Sequence, residues 1–146
     1  MKAWVAKMTE EHLDEDAIRR AGEILKDGGL VAFPTETVYG LGGNALDAEA
    51  SRKIYAAKGR PSDNPLIVHI ARMEDLEIVA HNIPDNARRL AQECWPGPLT
   101  MILEKTEVVP LATTGGLNTV AVRFPRNRIV QALIQSAGGF VAAPGA

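Results

Sequence analysis

Cysteine and long apolar runs are scarce in this sequence of 146 residues. The single cysteine, Cys94, cannot form an internal disulfide, which excludes a disulfide-stapled secreted domain and fits a reducing compartment. No apolar stretch approaches the roughly 20 residues that a membrane-spanning helix needs. The first residues also lack the apolar core of a secretory signal. We therefore expect a cytoplasmic protein with no membrane contact.

An excess of positive charge is lacking as well, because the net charge is −2 and the pI is about 5.9. These values argue against a chain that is a basic nucleic-acid binder throughout. The charge is nevertheless uneven. Residues 1–49 hold ten acidic and five basic residues, whereas residues 108–146 hold three arginines and no acid. Such a cluster suits a small phosphorylated ligand, although a solvated charged face is the alternative for Arg126 and Arg128.

Helical and strand patterns alternate along the chain. Apolar periodicity, caps and glycines predict helices over 14–27, 48–57, 75–80, 85–94 and 128–137, with Asp14 and Asp47 as N-caps. Short apolar runs bounded by prolines predict strands over 30–33, 66–70, 99–103, 119–124 and 140–143. This order indicates one α/β domain over residues 1–146, a twisted mixed sheet with helices packed on it. In such sheets ligands bind in loops at strand ends, here 34–43, 58–65, 115–119 and from 144 onward.

Two of these loops carry polar side chains suited to chemistry. Residues 33–43 offer threonines, a glutamate and a tyrosine among three glycines, although a threonine-rich tight turn is an equal alternative. Residues 58–65 carry Lys58 and Arg60 between glycine and proline, a pair suited to phosphate or carboxylate. Cations at the negative end of a helix dipole would explain Lys58 equally well, and Arg60 and Asn64 less well.

Two strands carry further candidates. Thr119, Ala121 and Arg123 share one face of their strand, so Arg123 is either a ligand clamp or an edge charge that blocks aggregation. His69 lies in an apolar strand, where a half-buried structural histidine is more common than a catalyst. The sequence has no GxGxxG or GxxxxGK[ST] loop, so a nucleotide must be held by another arrangement. It has no GxSxG elbow of a serine hydrolase, and without zinc-ligand spacing we expect no metal site built by the protein.

Four segments together resemble the YrdC-like family of threonylcarbamoyl-AMP synthases. They are PTETVYGL (34–41), KGRPSDNPLIVH (58–69), WPGPLT (95–100) and TVAVRFP (119–125). The resemblance implies a YrdC-like fold and an enzyme that joins L-threonine, bicarbonate and ATP into threonylcarbamoyl-adenylate, releasing pyrophosphate. The product would serve the threonylcarbamoyladenosine modification of tRNA. We expect Mg²⁺ to take part through the phosphate oxygens and water.

The family pattern also implies roles for individual residues. Lys58 and Arg60 match its catalytic Lys-x-Arg signature, and Arg60, Asn64 and Thr119 match positions that contact the nucleotide.

The resemblance assigns four further positions to the threonine substrate. Thr37, Tyr39, His69 and Arg123 match or line that part of the family's site. Among them, the guanidinium of Arg123 suits the threonine carboxylate.

The sequence departs from the family pattern after Pro144, where the family continues into Ser/Thr-x-Asn and this chain has only Gly145 and Ala146. We therefore expect a domain that is incomplete at its C-terminus, with an exposed sheet edge or apolar face there that favours aggregation or oligomers. We also expect weak activity unless a missing segment is supplied.

Two alternatives stay open at this stage. One is an RNA-binding module of the same fold, whereas for the enzyme we expect at most weak contact with tRNA or double-stranded RNA. The other is a carbamoyl-transfer domain of the hydrogenase-maturation type.

Overall fold

Five α-helices, seven β-strands and one turn of 3-10 helix form the part of the chain that the computed structural model describes, namely residues 4–34, 39–59 and 64–144. The helices are α1 (Glu15–Lys26), α2 (Ala48–Lys58), α3 (Leu76–Val79), α4 (Asp85–Cys94) and α5 (Arg128–Ser136), with the 3-10 turn at Met73–Asp75. The strands are β1 (Val31–Pro34), β2 (Tyr39–Asn44), β3 (Leu66–His69), β4 (Ala80–His81), β5 (Thr100–Lys105), β6 (Thr119–Arg123) and β7 (Val141–Pro144). None of the helices in these ranges has the length and apolarity to cross a membrane.

The predicted helix starts are confirmed by their caps. The Asp14 carboxylate accepts a hydrogen bond from the backbone N–H of Ala17 at 3.0 Å, and Asp47 accepts from the N–H groups of Glu49 and Ala50. These bonds satisfy donors that the first helical turn leaves without an intrahelical partner. The predicted helix over 75–80 is shorter than expected, because Ala80 already turns into β4.

The sheet has the order β1-β2-β7-β3-β6-β5-β4 and is mixed, as predicted. Strands β3 and β6 run parallel, and every other neighbouring pair is antiparallel. Because the parallel pair needs a long crossover, the chain between β3 and β6 supplies α3, β4, α4 and β5.

Part of the predicted loop over 34–43 is a strand, and this prediction is corrected. Tyr39–Asn44 forms β2, which pairs with β1 from Pro34↔Tyr39 to Val31↔Gly42. Its glycines indicated a turn because glycine is depleted in strands. The strand forms because its backbone lies between β1 and β7, so both of its edges are hydrogen-bonded.

The exposed sheet edge that we expected at the last strand is absent from the described residues. Strand β7 lies inside the sheet, with Gly43↔Ala142 pairing it to β2 on one side and Val68↔Ala142 pairing it to β3 on the other. The backbone donors and acceptors of β7 are therefore used within the sheet, and this strand offers no edge for oligomers.

Two buried clusters lie on opposite faces of the sheet. One packs α2, α3 and α4 against the alternate strand residues that include Val68, Val122 and Ala142. The other packs α1 and α5 against Phe33, Val141 and the neighbouring small residues of β7. Residues directly opposite each other on neighbouring strands face the same side, so the two clusters follow the strand alternation.

The second face is covered on only one half. Helices α1 and α5 lie over β1 and β7, whereas the side chains of β5 and β6 on that face are only partly buried or exposed. Ile102 in the middle of β5 is 71% exposed, and Thr119, Ala121 and Arg123 of β6 are partly exposed. This uncovered half of the sheet, formed by β5 and β6, is called the open face below.

Candidate active site

The four strand ends at which we predicted ligand loops lie together at one end of the sheet. Leu66 at the start of β3 pairs with Pro144 at the end of β7, and Tyr39 at the start of β2 pairs with Pro34 at the end of β1. The start of β6 lies at the same end of the sheet, because β6 runs parallel to β3. Segments that are distant in sequence therefore meet where these strands begin or end.

The other ends of β3 and β6 bring His69 and Arg123 together. These residues are direct neighbours in the parallel register, and neighbouring strands lie about 4.8 Å apart. Thr100 of β5 stands opposite Arg123, and Val141 of β7 stands opposite His69. The row Thr100, Arg123, His69, Val141 thus crosses four strands on one face of the sheet.

The His69 imidazole is buried, with 5% of the residue exposed. Its Nδ1 lies 3.1 Å from the carbonyl oxygen of Ile67 and 3.3 Å from that of Val141. Since carbonyl oxygens only accept, Nδ1 carries the proton and donates, and Nε2 is left as an acceptor. Burial, and secondarily the positive charge of Arg123, lowers the pKa of His69 to about 4. His69 is therefore neutral at physiological pH.

The Arg123 guanidinium is oriented by Thr100, whose hydroxyl oxygen accepts from Nε at 2.9 Å. This bond leaves the two terminal NH₂ groups of the guanidinium for another acceptor. Within the described residues Arg123 forms no ion pair with a carboxylate. A positive group beside a neutral histidine, on a half-covered face, is an arrangement that favours an anionic ligand.

The open face continues from Arg123 along β6 to Thr119. The two residues lie on the same face, four positions apart, which corresponds to about 13 Å along a strand. On β5, Ile102 stands opposite Ala121, and Glu104 stands opposite Thr119. A polar end at Arg123, an apolar middle and a second polar end at Thr119 line this surface.

The remaining predicted site residues are placed as follows. Lys58 is exposed at the last position of α2, and Asn64 lies two residues before the start of β3. Tyr39 is 74% exposed, and strand alternation puts it on the face opposite His69 and Arg123. The structure thus does not bring Tyr39 together with those two residues. Thr37 and Arg60 lie outside the described residues.

Thr100 and Phe33 belong to this site and were not identified from their sequence context. The Phe33 ring is 2% exposed and meets the His69 ring edge-on, with centroids 6.1 Å apart and an interplanar angle of 75°. Phe33 lies in β1, which is separated from β3 by the two strands β2 and β7. The segment WPGPLT drew attention to Thr100, but nothing in it indicates the bond to Arg123.

The fold and this site define a domain of α/β type with an open sheet face that can receive a small anionic ligand. A family model described as "Telomere recombination", covering Sua5, YciO and YrdC, matches residues 23–146. The chain belongs to this Sua5/YciO/YrdC family.

Two curated relatives and one solved structure are similar to this chain. The threonylcarbamoyl-AMP synthase of Pyrococcus abyssi is 56% identical over 136 residues, which are 93% of this chain and 40% of that protein. The enzyme of the same name from Bacillus subtilis is 48% identical over 147 residues, covering 99% of this chain and 42% of the relative. The crystal structure of P. abyssi Sua5 complexed with L-threonine superposes with a TM-score of 0.89 at 55% identity, covering 92% of this chain and 39% of that one. This chain therefore spans about two fifths of the length of these relatives.

Proposed function

We propose that this chain is a threonylcarbamoyl-AMP synthase domain. It would join L-threonine, bicarbonate and ATP into threonylcarbamoyl-adenylate and pyrophosphate, in the cytoplasm, for the threonylcarbamoyladenosine modification of tRNA. Membership of the family, two relatives that carry this enzyme name, and the threonine complex of P. abyssi Sua5 support the proposal.

The observation that carries the proposal is the adjacency of Arg123 and His69. An amino acid presents a carboxylate and, close to it, a nitrogen that can donate hydrogen bonds. The terminal NH₂ groups of Arg123 can bind the carboxylate with two parallel bonds, because Thr100 holds the guanidinium through Nε. His69 offers Nε2 as an acceptor for the threonine amine or hydroxyl.

We propose that His69 binds the substrate and does not act as the base, because burial lowers its pKa to about 4. A group with a pKa of about 4 takes a proton from an ammonium group only with great difficulty. The threonine amine would thus enter the reaction with bicarbonate after losing its proton elsewhere. We infer that positioning and charge stabilisation carry most of the catalysis in this site.

The nucleotide would lie toward the Thr119 end of the open face. We assign the nucleotide contacts to Thr119 and Asn64, and the binding of the phosphates and the carboxylated amine to Lys58 and Arg60. The attacking carbamate and the α-phosphoryl group are both anionic, so cations between them lower their repulsion and stabilise the leaving pyrophosphate. The separation of about 13 Å along β6 gives room for both substrates on one surface. For Thr37, which lies outside the described residues, contact with the threonine substrate stays a prediction.

Mg²⁺ would enter as part of the substrate, bound to ATP. In the described ranges no three histidine, cysteine or acidic side chains converge in a way that could hold a metal ion. Phosphate oxygens and water supply ligands that Mg²⁺ prefers, so the ion would be carried by the nucleotide.

The test is threonine- and bicarbonate-dependent release of pyrophosphate from ATP, with calorimetry of threonine binding. Arg123→Lys keeps the charge and loses the two-pronged carboxylate contact, so we expect the KM for threonine to rise roughly 10- to 100-fold. Arg126→Lys is the matched control, because Arg126 is exposed and near the same strand. Pyrophosphate release without threonine, or equal threonine KM values for the two variants, contradicts the proposal.

Contact with tRNA or double-stranded RNA would be weak, given the net charge of −2. A salt titration of tRNA binding measures it directly. We expect a shallow slope, since a steep one requires several Lys or Arg contacts to phosphate. A steep slope together with no pyrophosphate release would favour the RNA-binding module instead.

A further inference from the structure

Gly42 occupies a position where no side chain fits. A Cβ atom built on it would lie 2.5 Å from Cε1 of Phe33 and 2.8 Å from Cγ1 of Val141. Both distances are shorter than any ordinary carbon–carbon contact. Gly42 has no left-handed backbone, so its role is to leave space for these two neighbours. The sheet pairing explains the crowding, since Gly42 lies between Val31 of β1 and the strand that carries Val141.

The two residues that crowd Gly42 are also two of the groups that hold His69. The Phe33 ring packs edge-on against the imidazole, and the Val141 carbonyl accepts from Nδ1 at 3.3 Å. Both side chains are buried, at 2% for Phe33 and 1% for Val141. Because packed interiors have little free volume, displacement of Phe33 or Val141 is transmitted to the imidazole between them.

We propose that Gly42 is a positioning residue for His69, acting through Phe33 and Val141 to hold the imidazole with Nδ1 on the backbone carbonyls and Nε2 available to the ligand. The identity of that ligand, threonine, rests on the proposed function. The positioning itself rests on the contacts of Gly42, Phe33 and Val141. Gly42 touches no substrate in this scheme and acts only through its neighbours.

Among the described residues, Arg123 on β6 is the charged group that affects the pKa of His69, and the partners from β1, β3 and β7 are Phe33, Ile67 and Val141. The titration of His69 therefore reports mainly on its burial. A side chain at position 42 that loosens this packing admits water to the imidazole. Burial is the main cause of the low pKa, so hydration raises the pKa toward its usual value.

Gly42→Ala and Gly43→Ala form a matched pair for the test. They place the same methyl group on adjacent residues of β2, but on opposite faces of the sheet. At Gly43 the new Cβ would lie 3.2 Å from Cδ1 of Ile54 and from Cδ2 of Leu30, the flexible ends of side chains in the other cluster. A change in His69 that follows Gly42→Ala and not Gly43→Ala therefore reports the specific contact and not general loosening.

Nitrogen NMR of the imidazole rings reads the tautomer and the pKa of His69 directly, with His69→Gln identifying its signals among the three histidines. In the unsubstituted chain we expect a neutral ring protonated on Nδ1. In Gly42→Ala we expect a higher His69 pKa, a mixed tautomer signal, and a threonine KM raised roughly three- to tenfold by the weakened hydrogen bond. Gly43→Ala should leave the ring signals and the KM as they are.

Unchanged His69 signals in Gly42→Ala, or equal changes in both alanine variants, overturn the inference. If Gly42→Ala does not fold, Phe33→Leu carries the test, because leucine is smaller than phenylalanine and lacks the ring that contacts His69. Unchanged His69 signals in Phe33→Leu overturn the inference equally. The NMR result decides the positioning role even without activity. A chain that lacks threonine-dependent pyrophosphate release but shows the expected ring shifts refutes the proposed function alone.

Discussion

A buried chain of hydroxyl hydrogen bonds between α2 and the loop before β6 gives a stability prediction with a definite asymmetry. Thr113 is 0% exposed, and its hydroxyl donates to the Ala45 carbonyl oxygen at 2.7 Å. The Ser51 hydroxyl lies 2.7 Å from the same Thr113 oxygen. Because Thr113 donates its only hydroxyl proton to Ala45, Ser51 must be the donor in the second bond.

This proton order separates the costs of two substitutions. Ser51→Ala removes one donor, and Thr113 keeps its bond to Ala45, so the free energy of unfolding should fall by about 1 kcal/mol. Thr113→Val leaves both the Ser51 hydroxyl and the Ala45 carbonyl without partners in a buried site, which costs about 2–4 kcal/mol. In the double variant the Ser51 hydroxyl is gone, so the combined cost should be about 1 kcal/mol less than the sum.

Urea unfolding of the three variants, followed by circular dichroism, measures these free energies. Thr113→Ser is the control, since it keeps the hydroxyl and removes only a methyl group. The reasoning fails if Ser51→Ala costs as much as Thr113→Val, or if the two costs add without coupling. Either result would mean that the proton order along Ser51, Thr113 and Ala45 differs from the one derived.

Two further predictions concern groups outside this chain of bonds. The pKa of His69 is about 4 in the folded chain and 6.5 in the unfolded chain, so the unfolded chain binds more protons between these pH values. The free energy of unfolding should therefore fall by up to about 3 kcal/mol as the pH drops from 6.5 to 4. Urea unfolding at each pH measures this dependence, which His69→Gln should reduce; the same dependence in His69→Gln rejects the assignment to His69. At Gly139 an added Cβ meets both a φ of +113° and the Asp75 carboxylate at 3.2 Å, so Gly139→Ala should destabilise the fold by about 1–3 kcal/mol. Gly116→Ala should cost less, because φ there is +86° and the space around the new Cβ is open. Equal decreases in melting temperature for the two variants would show that Asp75 contributes nothing.

The local sequence was sufficient for most helices and strands. The starts of α1 and α2 follow from Asp14 and Asp47, whose carboxylates satisfy backbone N–H groups a few residues away. Such caps depend only on neighbours in the chain, so they can be predicted from sequence. The mixed sheet followed in the same way from the alternation of helical and strand patterns.

Strand β2 could not be predicted in this way. Its glycines, taken alone, indicate a turn, and only the Phe33 and Val141 side chains packed against Gly42 explain why a strand there requires glycine. The position of β7 inside the sheet is another property of the strand order, which no local pattern of the last residues shows. Both features arise from contacts between segments that are distant in sequence.

The residues available for chemistry can be selected from the sequence alone. The motif resemblance and the strand alternation indicate His69, Arg123 and Thr119. The partners of the first two depend on the tertiary structure: the Thr100 hydroxyl accepts a hydrogen bond from Arg123, and the carbonyls of Ile67 in β3 and Val141 in β7 accept one from Nδ1 of His69. The physical reason is that register between strands brings these partners together, and burial in the packed sheet then keeps His69 neutral.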